Sequence, residues 1–229
     1  MTGFGASRES ILQIGPVHIT ESVVATWGIM LALALFSWLG TRQLGLQPGP
    51  LQVILEGAVE AIDDAIRAVL PGHSDRVFPF IATLWIFVVL ANLIGLIPGL
   101  HAPTGDLSVT AALAILVFVS VHWFGIRIEG AKQYLRHYLT PSPLLLPFHL
   151  ISEITRTLTL AVRLFGNMMS LEMAALLVLL VAGFLAPIPL LMLHIVEALI
   201  QAYIFGVLAL IYLAGAIQTQ ELRSQSEKG

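Results

Sequence analysis

The residues best suited to chemistry lie in two apolar stretches toward the C-terminal end. The first is HLISEITRTLTLAVRLFGNMMSLE, His149 to Glu172, with Arg163 deep inside it. A guanidinium does not give up its proton. A charge at the centre of a bilayer costs about 2.5–3.5 kcal/mol on insertion scales. Arg163 must therefore face a carboxylate or trapped water. His149, Ser152, Arg156, Thr159, Arg163, Asn167 and Ser170 follow one another by three or four residues, which draws one polar stripe along an apolar helix. For Arg156, a cation that snorkels or pairs along its own helix explains the sequence as well as a functional role does. For an ionisable group as deep as Arg163, function is the default reading.

The second stretch carries His194, Glu197 and Gln201, whose spacing of three and four puts them on one helix face. A lone histidine there would read as a satisfied core residue. A histidine, a carboxylate and an amide together read as a hydrated proton or ion path. Glu172 follows Arg163 by nine residues, about half a turn round the helix, so it is not the counter-ion of the stripe. It is expected to face the neighbouring helix, where His194 and Glu197 sit. Metal binding by Glu172, His194 and Glu197 is conceivable, yet no HExxH or comparable spacing supports it. Neither a metal nor a cofactor is expected. No counter-charge for Arg163 is evident within the chain, which points to a carboxylate on a partner subunit.

These residues need long apolar elements to hold them, and the composition supplies little else. Of 229 residues, 57% are hydrophobic and 11% charged, where a soluble domain has about 25% charged. The chain is read as one all-α polytopic membrane domain. Its net charge of −3 gives no sign of nucleic-acid binding. The absence of cysteine excludes disulfides and thiol chemistry, and no cleaved signal peptide is expected at the N-terminus.

In chain order, residues 1–20 form a mixed polar segment with a Gly15-Pro16 turn signal, and 23–40 a first span with interfacial Trp27 and Trp38. Residues 51–70 mix apolar positions with Glu56, Glu60, Asp63, Asp64 and Arg67, an amphipathic helix too charged to span. Spans follow at 77–98, with Asn92 its one amide, and at 107–126, with His122 and Trp123 near the far end. Residues 148–186 and 188–222 are too long for upright helices. They either tilt strongly as a hairpin about Pro187-Ile188-Pro189, the arrangement favoured here, or break at Gly166, Gly183, Gly206 or Gly215. Arg42, Arg67, Arg76, Arg127, Lys132, Arg136, Arg223 and Lys228 fall on one side and Arg8 on the other. This predicts an outer N-terminus, a cytoplasmic C-terminus and five crossings.

With these residues in place, the chain resembles subunit a of the F-type rotary ATP synthase. The resemblance rests on RLFGNM at 163–168 with Glu172 after it, and on HIVEALIQAYIFGVLALIYL at 194–213. NLIGLIPG at 92–99 and PTGDLSVTAALA at 103–114 extend it over most of the chain from the second span onward. It implies that Arg163 is the essential arginine facing the carboxylates of a rotating c-subunit ring. It implies two offset aqueous half-channels, and a guanidinium that keeps the ring carboxylate ionised and blocks a direct leak. Asn167, Glu172, His194 and Gln201 match the polar channel positions. Glu172, His194 and Glu197 are assigned to the outer half-channel, and Ser152, Glu153 and Arg156 to the cytoplasmic one. The implied partners are the c-ring, the peripheral-stalk b subunits, the rest of the synthase and the lipid bilayer. The implied place is the plasma (inner) membrane of a bacterium or archaeon. Such a subunit has no catalytic activity of its own, and carries protons or, in a variant, sodium. The sequence departs from the family pattern at Leu171, Thr157, His149 and Glu197.

Three other classes fit less well. A secondary transporter would show inverted repeats, which the sequence lacks. An intramembrane protease would need a catalytic pair, and Gly105-Asp106 lies in a loop. A purely structural subunit leaves Arg163 unexplained.

Overall fold

The computed structural model describes residues 10–14, 17–42, 49–97, 100–130, 146–182 and 188–226. Arg8, Lys132, Arg136, Lys228, Gly183 and Pro187 lie outside these residues, as do the side chains of His149 and Arg223.

Two short strands, β1 (Ser10–Ile14) and β2 (Val17–Thr20), pair antiparallel ahead of the first helix. This adds to the expected polar segment, and its cause is legible: SILQI and VHIT are β-prone runs either side of a turn signal. From there the described residues are helical apart from short turns. The helices are α1 (Glu21–Thr41), α2 (Pro50–Val69), α3 (Ser74–Leu93), α4 (Leu107–Glu129), α5 (Leu146–Ala182) and α6 (Ile188–Ser226). Two short 3-10 turns, Ile94–Leu96 and Pro103–Gly105, connect α3 to α4. Among the described residues, five helices are long and apolar enough to cross a membrane, so this is an all-α polytopic membrane protein. α2, with Pro50 at its first turn where the missing N–H costs nothing, carries its acids on one side. α5 and α6 run through Gly166, Gly206 and Gly215 without a break. With 37 and 39 residues they are each roughly 55 Å or longer.

The core lies between α3 and α6. Ala198, Ala202 and Gly206 recur every four residues down one buried face of α6, the small-residue spacing that lets apolar helices approach closely. A Cβ at Gly206 would come within 2.7 Å of the Trp85 ring, so only glycine fits there. Seven residues further along α3, the Asn92 amide donates to the Ala198 carbonyl at 3.1 Å. Trp85 and Asn92 thus meet Gly206 and Ala198 in reverse order, and the two helices run antiparallel. Leu160, Leu164 and Met168 of α5 join the same core.

Two sets of contacts define the ends of the bundle. At one end Asp106 caps α4 by accepting from the Ser108 N–H at 3.0 Å. Its other oxygen accepts from the Ser22 hydroxyl at 2.9 Å. Glu21 lies 3.6 Å from His101 at the same end. The opposite end holds the last turns of α1, α2 and α4 and the first of α3, hence Arg42, Arg67, Arg76 and Arg127. These are called below the turn end and the basic end.

Candidate functional site

The stripe on α5 is a real face of the helix. Ser152, Arg156, Thr159, Arg163 and Ser170 are exposed, while Leu160, Leu164 and Met168 on the opposite side are buried. Arg163 therefore looks away from the bundle, among exposed Leu158 and Val162. Among the described residues it has neither a hydrogen bond nor an ion pair. Arg156, two turns nearer the basic end, places its guanidinium 5.8 Å from the centre of the Tyr212 ring on α6, within cation–π range.

Asn167, one turn past Arg163, is half-buried and turns into the seam between α5 and α6. Its Nδ2 donates to Oε1 of Gln201 at 2.6 Å. The two amides that sequence spacing placed on separate helices are thus brought together. Gln201 is 2% exposed and its Nε2 has no partner among the described residues. His194, two turns earlier on α6, is 4% exposed with an unpartnered Nε2. Glu197 is half-buried beside it.

Glu172 sits differently from the expectation that it faces His194 and Glu197 across the neighbouring helix. Its Oε1 accepts from the backbone N–H of Ala102 at 3.1 Å. Both carboxylate oxygens lie 3.2–3.3 Å from where a Cβ on Gly105 would stand. No hydrogen bond or ion pair among the described residues joins it to His194 or Glu197. The cause is the 3-10 turn Pro103–Gly105. It is buried rather than looped into solvent, and brings a free backbone donor to a carboxylate on α5. A side chain at Gly105 would press on that carboxylate and push it back by a few tenths of an ångström.

Glu153 faces α4, not the Arg163 stripe. Its Oε2 is 3.2 Å from Nε2 of His122. Ser152 and Arg156, read with it, stay on the exposed face.

Two polar residues beyond those expected also line the interior. Thr104 in the turn is 0% exposed with an unpartnered hydroxyl, and Asn92 is 0% exposed with an unpartnered Oδ1. Asn92 was visible as the one amide in an otherwise apolar span. Thr104, inside a short polar turn, gave no such signal. Glu172, Thr104, His194, Asn92, Gln201 and Asn167 are thus polar groups buried or half-buried among packed apolar elements. Unpartnered polar atoms in such an interior are costly unless water or a translocated ion meets them.

The ATP synthase A chain family matches residues 23–214. ATP synthase subunit a 2 of Pelobacter propionicus is 66% identical over 217 residues, 95% of this chain and 95% of that one. ATP synthase subunit a of Legionella pneumophila strain Paris is 62% identical over 215 residues, covering 93% and 94%. At greater distance, ATP synthase subunit a 1 of Chlorobaculum parvum is 43% identical over 219 residues, covering 94% and 97%.

Proposed function

The chain belongs to the ATP synthase A chain family, and from that premise we propose that it is the stationary, proton-conducting membrane subunit of a rotary ATP synthase. The observation that carries the proposal is Arg163: a permanent cation, exposed on an apolar helix face, with no partner among the described residues. Such a charge calls for an external anion in low dielectric, and the carboxylates of a c-subunit ring supply one in turn as the ring rotates.

A ring carboxylate arriving opposite Arg163 ionises, because the adjacent guanidinium favours the charged form. Its proton leaves on one side of the arginine, and a new one is taken up on the other. The arginine does not carry protons itself; it keeps the two paths apart. The outer path runs through Glu172, His194 and Glu197 to Gln201 and Asn167, with Thr104 and Asn92 added. The cytoplasmic path runs along Ser152, Glu153 and Arg156. The coupling ion is read as the proton, with sodium as the alternative, a choice set by the ion site of the ring on another chain. The turn end faces outward and the basic end the cytoplasm, as the excess of arginines requires. The host membrane is the plasma (inner) membrane, and the peripheral-stalk b subunits hold the chain against rotation.

The test is ATP-driven ion uptake by vesicles bearing the whole complex. Arg163→Ala is expected to lower uptake at least about 100-fold, the scale of losing one partner of a desolvated charge pair, while the complex still assembles. Arg163→Lys also fails, since a point ammonium does not replace a planar fork. Vesicles that pump normally with either variant refute the proposal. Repeating the measurement with sodium in place of a proton gradient identifies the ion.

A further inference from the structure

His122 on α4 is engaged at both ring nitrogens. Nδ1 is 2.8 Å from the carbonyl oxygen of Phe118, one turn back. Nε2 is 3.2 Å from Oε2 of Glu153 on α5. A carbonyl oxygen only accepts, so Nδ1 carries a hydrogen. In the neutral ring Nε2 is then a bare lone pair 3.2 Å from a carboxylate oxygen. Two acceptors at this distance repel. The contact is attractive only when one more proton lies between them, as imidazolium against carboxylate or imidazole against carboxylic acid. The geometry therefore describes a pair that stores one exchangeable proton. Its side chains are 27% and 25% exposed, while the Glu153 oxygen that faces His122 is itself buried.

Glu153 precedes Arg163 by ten residues, about 15 Å along α5 toward the basic end. It is turned roughly 80° away from the arginine line, which is why it meets α4. We infer that His122 and Glu153 together form the last proton-holding station on the basic-end path. This rests on the function proposed above and adds to it a residue, His122, from a helix outside the α5–α6 hairpin. An arriving proton converts imidazole and carboxylate into the imidazolium–carboxylate pair. Loss of the Nε2 proton to water at the basic end restores imidazole and carboxylate, which then part and admit water. In the reverse direction the same proton is loaded from that water.

Other charged or titratable side chains at this end are Arg42 at the end of α1, Asp63, Asp64 and Arg67 on α2, Arg127 on α4, Arg156 on α5, Tyr212 on α6, and His73, Asp75 and Arg76 where α3 begins. Glu129 and Arg223 also belong to these helices, with side chains outside the described residues.

The pair can be tested against the plainer role of an interhelix clamp. In His122→Gln, an amide N–H donates to the Glu153 carboxylate. In Glu153→Gln, it donates to the lone pair of His122. Both variants keep the clamp and lose the stored proton. Proton flux through membrane sectors stripped of their soluble head is measured against pH on the basic side. The wild-type flux is expected to rise with pH as the pair empties, and both glutamine variants to fall about 10-fold or more and become flat with pH. Glu153→Asp, still protonatable, retains a pH-dependent flux. Wild-type flux with an unchanged profile in both glutamine variants overturns the inference, as does a wild-type flux carried by sodium and indifferent to pH. Should a glutamine variant fail to assemble, Glu153→Asp decides alone: a displaced pH profile supports proton storage, and an unchanged one contradicts it. Arg163→Ala, run alongside, separates the two levels of the account. Conduction in that variant removes the functional reading itself, whereas a block there with unaffected glutamine variants removes only the station.

Discussion

α3 and α5 are both apolar and of span length, yet the chain treats them oppositely. Half of the α3 span is buried within the protein (50%), against 17% of the α5 span. α3 is locked to α6 by a tryptophan over a glycine and an amide on a carbonyl. α5 buries one edge, Leu160, Leu164 and Met168, and leaves its arginine-bearing face open. The difference separates scaffold from working surface. One helix pair fixes the fold and, on the function proposed above, a longer helix held from behind offers a charge to something outside the chain.

Two glycines allow that contrast to be broken. Gly206→Val drives a side chain into Trp85, an overpacking cost of about 1–3 kcal/mol, and is expected to lower the amount of assembled complex several-fold. A Cβ at Gly166 on α5 meets nothing within 4 Å, and Gly166→Ala should leave that amount unchanged. Immunoblots of membranes carrying each variant decide; equal levels would mean that α3 and α6 are not the fixed core.

A second measurement sharpens the register of the working helix on its support. The chain has no cysteine, so Asn167→Cys with Gln201→Cys gives a clean disulfide assay. Their amides meet at 2.6 Å, and a disulfide forms only where the Cα atoms come closer than about 7 Å. Oxidation should link most of the paired variant and none of an Asn167→Cys, Ile200→Cys control. Linkage in the control alone shifts the register.

The smallest effect concerns the interior path. Glu172→Gln keeps an acceptor for the Ala102 N–H, and His194→Ala removes one of several polar groups. Each alone is expected to slow proton flux through the stripped membrane sector by a few-fold. The double variant should lose more than the product of the two, because a hydrated path tolerates one gap better than two. Multiplicative losses are the pattern of sites acting independently and would make these residues packing.

Much of this was legible in the sequence, for physical reasons. Charge-free runs of twenty residues fix the spans, and a three-to-four spacing draws the arginine stripe and the His194–Gln201 face, though not which amides meet between them. Contacts made by irregular backbone were not legible. Glu172 was placed by its angle on α5, and what holds it is an N–H in a turn that no periodicity announces. Glu153 was grouped with Ser152 and Arg156 towards the cytoplasmic half-channel, and its contact with a histidine on another helix spans a sequence distance no motif covers. The β1–β2 hairpin was present only as a turn signal between two short β-prone runs.

The central claim is that the open face of α5 is the one a c-subunit ring sweeps past. Cysteines placed singly at Thr159, Val162 and Ser170 on that face, and at Leu160, Leu164 and Met168 behind it, can be paired with a cysteine next to the ring carboxylate. Oxidation in intact membranes should link the first set to the ring and leave the second unlinked. Links formed from Leu160, Leu164 or Met168, with none from the arginine face, would contradict the account.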